Sequence, residues 1–306
     1  MKKLISSNYV LNLKANSKIA QKSFLLPSFN LKAFITDAFK EDIGEGDHTT
    51  LACIPSAAKG KAHLLIKENG ILAGIELAKN IFLQLDKNIR FKKFLTDGTK
   101  VRKGDVAFSV EGNARSILQA ERLVLNCMQR MSGIATQSYH LTKLCKGYQV
   151  KITDTRKTTP GFRALEKWAV KIGGGENHRF GLYDMILIKD NHVDYAGGIK
   201  NAIESANSYL RKNRKKLTIE IEARNFTELK EILSTGKIHR IMLDNFSVKD
   251  LKKAIAMING KYETEASGGI NENNIRSYAA CGVDYISIGA LTHHVKSLDM
   301  SLKAID

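Results

Sequence analysis

The second half of the sequence predicts an α/β fold, built as a shortened or open α/β barrel. Short apolar runs alternate there with stretches of helical spacing, and polar residues or glycines follow the apolar runs. Alternation of this kind implies parallel strands joined by crossover helices. About 160 residues, 132–291, are available for these repeats, whereas a full eight-fold barrel takes ~250. We therefore expect a barrel that is shorter than eight repeats or not closed.

Six segments have the length and apolar content of the predicted strands. They are 149–154, 183–189, 217–222, 240–244, 262–267 and 283–288. The carboxyl ends of parallel strands lie on one face of a barrel or sheet, and sites are built there. We expect the residues that follow these segments to form the functional site.

Five basic residues are gathered between residues 154 and 192, at the ends of strand-like runs and beside glycine turns. They are Arg156, Lys157, His178, Arg179 and Lys189. Side chains in such places converge on a pocket, whereas basic residues on helix faces spread over the solvated surface. Planar guanidinium groups match the oxygens of carboxylates and phosphates. The cluster therefore predicts an anion-binding active site.

Lys189 allows a second chemistry. An amine at the end of a barrel strand, in apolar surroundings, can have its pKa lowered and then form a Schiff base. The neighbouring guanidinium groups favour polyanion binding instead. An imine-forming lyase stays open as an alternative.

Acidic residues and glycines follow the later strands. Glu220 and Glu222 are two apart on one predicted strand, so both face the same side, and Asp244 ends the next strand. Glycines in 267–269 and 289–290 let backbone N–H groups approach a phosphate. The carboxylates can accept hydrogen bonds from ribose hydroxyls or hold hydrated Mg2+. For Asp244, capping of the next helix is the plainer alternative.

The first half of the chain has a different pattern. Apolar spacing from Leu31 to Phe39 predicts an amphipathic helix that ends at Gly44, and Asp47 follows in a turn. A strand is predicted at 62–66 and a helix at 75–85. We expect a mixed α/β unit here.

A long helix is predicted next, after a stretch with tight turns at Gly98 and Gly104. Asn113 or Ser116 can cap it. Arg122 lies beside its apolar face, not on it. From its position in the helix alone, Arg122 is therefore predicted to be an arginine on the helix surface.

Composition excludes several classes of protein. The formal charge is +17, but the lysines are scattered over helix faces and no basic strand is interleaved with aromatic residues, so we expect no nucleic-acid ligand.

The four cysteines form no metal-binding pattern, which favours a reducing cytoplasm. No apolar run approaches the ~20 residues of a membrane span, so we expect a soluble protein. Residues 1–27 are rich in lysine and contain no acid, as in a transit segment, but they contain no arginine and no apolar run of signal-peptide length. We therefore expect a poorly structured basic extension, with a transit segment as the alternative.

Several ordered blocks of the sequence resemble the quinolinate phosphoribosyltransferase family. Besides 154–192, they are EDIGEGDHTT at 41–50, QAERLVLNCMQRMSGIAT at 119–136, IEIEARN at 219–225, IMLDNFS at 241–247, EASGGI at 265–270 and YISIGALTH at 285–293. The resemblance covers residues 28–306. One departure is His294, where the family commonly has serine.

The resemblance implies a domain organisation. An N-terminal α/β sandwich domain would span 28–131 and the α/β barrel catalytic domain 132–291. For the remaining residues, 292–306, we expect a C-terminal helix.

The resemblance also implies a reaction. Phosphoribosyl pyrophosphate and quinolinate would give nicotinate mononucleotide, pyrophosphate and CO2, a step of de novo NAD biosynthesis that uses Mg2+. A related transferase acting on another nitrogen-heterocyclic acid stays open beside the Schiff-base lyase.

Site roles follow from the resemblance, residue by residue. Lys157, Lys189, Glu222 and Asp244 would be catalytic, and Glu222 and Asp244 would hold Mg2+ partly through substrate. The substrate-binding residues would be Arg122, Thr155, Arg156, Lys157, His178, Arg179, Lys189, Glu222, Asp244, Ser267, Gly268, Gly269, Ile288, Gly289 and Ala290. Arg122 would reach the site from the other subunit of a homodimer. Glu220 is not in register with the ribose-binding acid of the family.

Overall fold

The structure is a computed structural model that describes residues 29–305. The extension predicted at 1–27 lies outside the described residues. The chain divides into two compact units. The first contains the described residues up to Thr136, Thr159–Gly173 and the stretch from Val295; the second contains Gln137–Thr158 and Gly174–His294.

The first unit begins with two helices. The helix α1 (Leu31–Ile43) starts at Asn30, whose side chain accepts a hydrogen bond from a first-turn N–H group, and ends at Gly44 with φ +55°. This confirms the helix predicted from apolar spacing. Asp47 was expected in a turn, but its side chain caps a second, short helix, α2 (His48–Cys53).

Four strands of this unit form an antiparallel sheet in the order β12-β1-β5-β3. Its strands are β1 (Lys59–Ile66), β3 (Arg90–Lys93), β5 (Val106–Asn113) and β12 (Met300–Ile305), and β2 (Gly70–Ile71) pairs separately with β4 (Lys100–Val101). The strand predicted at 62–66 is confirmed as part of β1.

The predicted C-terminal helix at 292–306 is wrong. In the described part of this region, 292–305, the only helical residues are the last two of the short helix α11 (Ala290–His293). The chain then becomes β12, which pairs antiparallel with β1 so that Leu302 lies opposite Leu64. Met300 and Leu302 are buried and the residues between and after them are more exposed. This period of two is that of a strand with one buried face.

Aromatic residues fill the space between this sheet and the helix α3 (Ile75–Leu85). The ring centroid of Phe82 on α3 lies 6.1 Å from that of Phe108 on β5, and Phe108 lies 4.5 Å from Phe91 on β3. Phe82 and Phe108 are fully buried. Helix α3 matches the helix predicted at 75–85, and this layer of helix on sheet agrees with the expected α/β sandwich.

The boundary between the units differs from the predicted one. A single helix, α4 (Ala114–Leu144), runs through the division expected between 131 and 132. The helix α5 (Arg163–Ile172) lies between two barrel strands in sequence but belongs to the first unit. It is held there by Glu166, a fully buried carboxylate 2.6 Å from the guanidinium of Arg130 on α4.

The second unit contains a six-stranded, entirely parallel sheet in the order β6-β11-β10-β9-β8-β7. Its strands are β6 (Lys151–Thr153), β7 (Ile186–Ile188), β8 (Ile219–Ala223), β9 (Arg240–Asp244), β10 (Glu263–Ser267) and β11 (Tyr285–Ser287). All six predicted strands are confirmed, with bounds that differ by a few residues.

Helices connect most of these strands. They are α6 (Asp190–Ala196), α7 (Ile199–Lys212), α8 (Phe226–Thr235), α9 (Val248–Ile258) and α10 (Ile275–Ala279). The crossover between β6 and β7 instead carries α5, which belongs to the first unit. Strands β6 and β7 are the two edges of the sheet, so the open α/β barrel predicted from the sequence is confirmed.

The sheet curves around a polar interior. The His178 ring nitrogen Nε2 lies 3.0 Å from Glu220 on β8 and 3.4 Å from Glu265 on β10, although β9 separates these strands. Strands two apart in a flat sheet are about 10 Å from each other. Both carboxylates therefore point to the inside of the barrel.

Candidate active site

A cavity of about 790 Å³ lies at the carboxyl ends of the barrel strands. Every predicted site residue of the second unit lines it. These residues are Thr155, Arg156, Lys157, His178, Arg179, Lys189, Glu222, Asp244, Ser267, Gly268, Gly269, Ile288, Gly289 and Ala290. These residues are remote from one another in sequence. They meet because each follows a strand of the same sheet or a turn beside such a strand.

Positive groups crowd one another in this cavity. Burial, and the guanidinium of Arg156, lower the pKa of Arg179. The pKa of His293 is lowered by burial, by His294 and by the ammonium group of Lys157. A bound polyanion would relieve this repulsion, since charge-assisted hydrogen bonds to carboxylates and phosphates are among the strong ones.

Lys189 and Glu222 form an ion pair across neighbouring strands. Lys189 follows β7, and its Nζ lies 2.6 Å from Oε1 of Glu222 on β8. The lysine side chain is 45% exposed and the glutamate side chain 9%. The pair thus has its cation toward the cavity and its anion in the wall.

Asp244 supplies a second carboxylate at the end of β9. Its pKa is raised by burial and then by the nearby charge of Glu222. The side-chain amide of Asn245 donates a hydrogen bond of 2.7 Å to Asp244. Two like charges held close in this way accept hydroxyl donors or a hard divalent cation, which prefers oxygen ligands.

Glycines lie at two turns that line the cavity, and the backbone conformation of Gly268 favours glycine. Gly268 has φ +93°, and a Cβ atom there would lie 2.2 Å from Oδ1 of Asn245. A Cβ atom at Gly289 would lie 2.9 Å from Nε2 of His293. These positions bring backbone close to the cavity, as a phosphate-binding turn needs.

His178 is held by buried groups on the floor of the cavity. Its Nε2 faces Glu220 and Glu265, and its Nδ1 lies 2.8 Å from the backbone N–H of Arg179. Burial alone would lower the pKa of His178, but the hydrogen bonds to the two carboxylates outweigh it and raise the pKa to about 9. Burial and Glu265 raise the pKa of Glu220 to about 7.

These contacts restrict where the protons of the cluster lie. A backbone N–H group can only donate, so Nδ1 of His178 accepts and the ring proton is on Nε2. A second ring proton would oppose the N–H of Arg179. The two carboxylates favour a charged ring through the raised pKa of His178, whereas the hydrogen bond from the N–H of Arg179 requires an unprotonated Nδ1. The position of that N–H decides for a neutral ring, and a further proton then lies on Glu220, whose pKa is also raised.

Beneath this cluster, Arg240 on β9 binds the carboxylates of β10. Its guanidinium lies 3.1 Å from Glu265 and 3.0 Å from Glu263, and it stacks 3.7 Å from the ring centroid of Tyr285. Arginine pairs two-pronged with carboxylates and stacks on aromatic faces. The floor of the site is therefore tied to three adjacent strands.

Sequence reasoning missed some residues of the cavity, and the structure of the single chain does not bring Arg122 to it. Glu265, Asn245 and His293 also line the cavity. The spacing of Glu263, Glu265 and Ser267 is the same two-residue alternation that pointed to Glu220 and Glu222, so this signal was available. Arg122 is exposed on α4 in the first unit and is not a lining residue.

An open α/β barrel with a cationic cavity, paired carboxylates and glycine turns at its strand ends defines an enzyme class that handles phosphate and carboxylate groups. Residues 134–303 match the family described as "Quinolinate phosphoribosyl transferase, C-terminal domain", and residues 47–132 match the N-terminal domain of the same family. The chain belongs to the quinolinate phosphoribosyltransferase family.

Individual relatives agree with this assignment. The chain is 45% identical to quinolinate phosphoribosyltransferase [decarboxylating] 1b of Nicotiana tabacum, over 94% of this chain and 87% of the relative. It is 46% identical to nicotinate-nucleotide pyrophosphorylase [carboxylating], chloroplastic, of Arabidopsis thaliana, over 90% of this chain and 83% of the relative. The solved nicotinate-nucleotide pyrophosphorylase of Francisella tularensis superposes with a TM-score of 0.84 at 40% identity, covering 90% of this chain and 96% of that one.

Proposed function

We propose that this chain transfers the phosphoribosyl group of phosphoribosyl pyrophosphate to quinolinate and releases CO2, giving nicotinate mononucleotide and pyrophosphate. The observation that carries the proposal is one cavity that is lined by several cations, by the carboxylates of Glu222 and Asp244, and by two glycine turns. Two anionic substrates repel each other, so a site that joins them needs such a set of positive groups. The family membership supports the same reaction.

The cationic side fits the pyridine dicarboxylate. Arg156, Arg179 and Lys189 can pair with the two carboxylates and hold the ring in one orientation. Positioning of this kind is a large part of the rate acceleration that a transferase provides. A substrate with one carboxylate would leave a buried cation without a partner, which is costly.

The carboxylate side fits the phosphoribosyl group. Glu222 and Asp244 can accept hydrogen bonds from ribose hydroxyls, and their negative charge stabilises the sugar cation that develops as the C1–oxygen bond to pyrophosphate breaks. The turns at Ser267–Gly269 and Gly289–Ala290 would hold the 5-phosphate.

The two bond changes follow in order. The ring nitrogen of quinolinate forms a bond to C1 of the ribose while pyrophosphate leaves with the bonding electrons. The positive ring nitrogen then stabilises the electron pair left on the adjacent carbon when the carboxylate departs as CO2, and a proton replaces it there. The chain's own residues supply binding, orientation and charge.

Mg2+ fits the carboxylate side as an additional component. Glu222 and Asp244 lie close enough for Glu222 to raise the pKa of Asp244, and a cation would relieve that repulsion. These two residues would hold the ion, partly through substrate, and the ion would offset the charge of pyrophosphate. Calorimetric titration of pyrophosphate with and without Mg2+, in wild type and Asp244→Asn, tests this: tighter binding with Mg2+ in wild type alone is expected.

A homodimer accounts for Arg122. The residue is exposed on α4 and does not line the cavity of its own chain, so its proposed role requires a second subunit that supplies it. In a two-fold dimer such a residue is exchanged reciprocally.

The compartment proposed is a reducing one, such as the cytoplasm. All four cysteines are free thiols, and Cys127 and Cys145 are buried. Structural disulfides are typical of oxidising compartments. Within residues 29–305, no helix combines the length and apolar character needed to cross a membrane.

A panel of acids tests the substrate assignment. Quinolinate, nicotinate and other pyridine carboxylates are each incubated with phosphoribosyl pyrophosphate, and the nucleotide products are separated. Quinolinate alone is expected to react. Borohydride trapping of a carbonyl substrate on Lys189 would support an imine-forming lyase instead, but the 2.6 Å ion pair of its Nζ with Glu222 favours a binding role for that group.

A further inference from the structure

Both ring nitrogens of His178 are engaged by the protein. Nε2 lies 3.0 Å from Glu220 and 3.4 Å from Glu265, and Nδ1 lies 2.8 Å from the N–H of Arg179. The ring is buried, with 5% of its side chain exposed. It therefore keeps no nitrogen for a substrate carboxylate, although it lines the cavity.

The carboxylates that hold this ring are themselves held. Glu220 and Glu265 are fully buried, and the guanidinium of Arg240 lies 3.1 Å from Glu265 while stacking on Tyr285. They come from β8 and β10, on either side of β9. The carboxylates that bind Nε2 of the ring therefore belong to strands of the barrel and not to loops.

The hydrogen bonds of His178 restrain the backbone that leads into Arg179. The ring accepts the N–H of Arg179, the His178 N–H donates to the buried carboxylate of Asp154 at 2.9 Å, and the Arg179 guanidinium donates to the carbonyl of Met185 at 3.3 Å. The peptide units on both sides of His178 are therefore fixed, and the second of them leads into Arg179.

We propose that Glu220 and Glu265 are positioning residues for quinolinate binding: they orient the His178 ring, which fixes the backbone of Arg179 so that its guanidinium faces the substrate carboxylate. This inference rests on the proposed function. It assigns to His178 a role through Arg179, in place of direct substrate contact. Catalytic and binding side chains need supporting hydrogen bonds of this kind to stay within a fraction of an ångström of the productive geometry.

A metal ion is the competing occupant of this cluster. Donor atoms of His178, Glu220 and Glu265 all lie within 4.8 Å of one another. An ion there would displace the Nε2 proton and add two positive charges beside the guanidinium of Arg240. Nε2 of His178 lies 3.0 Å from Glu220, which is the separation of a hydrogen bond, so the geometry points to a hydrogen-bonded ring.

Calorimetry on variants tests the positioning role. Glu265→Gln keeps the shape of the side chain but removes its charge. The dissociation constant of quinolinate is expected to rise about ten- to hundredfold, the scale of a misplaced binding group, while that of pyrophosphate changes less than twofold. Glu263→Gln is the matched control, because Glu263 lies on the same strand face and also binds Arg240 but does not contact His178. Equal weakening of both ligands in Glu265→Gln, or equal weakening of quinolinate in both variants, would overturn the proposal.

Nitrogen NMR of the histidine ring tests the wild-type protein directly. The His178 signals of 15N-labelled wild type, assigned by their loss in His178→Gln, are expected to show a protonated Nε2 and an unprotonated Nδ1. They should keep that state when quinolinate saturates the enzyme. A new hydrogen bond from either nitrogen to bound quinolinate would overturn the proposal, as would a stoichiometric metal ion that is present in wild type and lost in Glu265→Gln.

The two hypotheses fail in different ways. If wild type neither binds nor converts quinolinate, the proposed function fails, whatever the state of the ring. If quinolinate is converted but the ring contacts it directly, only the positioning role fails.

Discussion

Nζ of Lys189 lies 2.6 Å from Oε1 of Glu222, across the two strands at one edge of the barrel sheet. The pair brings a cation and a carboxylate of the cavity into contact. Each residue was predicted as catalytic from a separate block of sequence, and the fold brings them into contact. Removing either one leaves its partner's charge uncompensated.

Lys189→Ala should lower kcat/KM for quinolinate at least tenfold. A charge-assisted contact contributes roughly 1.5–3 kcal/mol, and the variant also leaves Glu222 without its ion pair. The lysine is half exposed and contributes little core, so the melting temperature should change by only a few degrees. Lys212→Ala, on an exposed helix face, is the control and should match wild type. Full activity in Lys189→Ala would show that Lys189 is a surface residue.

Glu222→Gln should lower the pKa of Asp244. After burial, the charge of Glu222 is the largest cause that raises this pKa, and the amide removes it while the cation of Lys189 remains. Carboxyl 13C NMR of the ligand-free protein would measure the titration of Asp244 directly. An unchanged or higher pKa would mean that burial alone sets it.

The buried cluster should make folding stability depend on pH. Glu220 has a pKa of about 7 in the folded protein against 4.5 otherwise, so it takes up a proton on folding. Its contribution to the unfolding free energy is fully present below pH 4.5 and is lost as the pH rises through 7, with a slope of at most about 1.4 kcal/mol per pH unit.

Glu220→Gln isolates this effect, because glutamine does not titrate. Urea unfolding between pH 4.5 and 8, at constant protein concentration, should show a flatter pH dependence for the variant than for wild type. Glu263→Gln should retain the wild-type slope, since its side chain is half exposed and lies away from His178. Identical slopes in Glu220→Gln and wild type would place the proton elsewhere.

Arg122→Ala and Lys189→Ala should rescue each other if subunits exchange. A hybrid dimer has one site with both defects and one with neither. Half of a statistical mixture is hybrid and one of its two sites is intact, so about a quarter of wild-type activity should return. Native mass spectrometry would verify the exchange. Exchange without recovered activity would remove Arg122 from the partner's site.

The strand pattern made much of the barrel predictable. Apolar runs followed by polar residues mark β6 to β11. The side chains at their ends meet in one cavity because the carboxyl ends of parallel strands lie on one face of the sheet. Glu265 has the same spacing from Glu263 and Ser267, but this spacing does not indicate that His178 lies against it.

The pairing of β12 and the unit to which α5 belongs could not be predicted, because both depend on contacts between residues that are far apart in the sequence. Strand β12 pairs with β1, more than two hundred residues earlier in the chain, and a six-residue segment does not indicate its partner. Helix α5 has the spacing of a barrel crossover helix, yet the buried ion pair of Glu166 with Arg130 places it in the other unit. Neither pairing leaves a local signal.

Simultaneous measurement of pyrophosphate and CO2 tests the proposed function most directly. With quinolinate, phosphoribosyl pyrophosphate and Mg2+, the enzyme should release the two products in a one-to-one ratio; with nicotinate in place of quinolinate it should release neither. Equal turnover of nicotinate, or pyrophosphate release from quinolinate without CO2, would contradict the account.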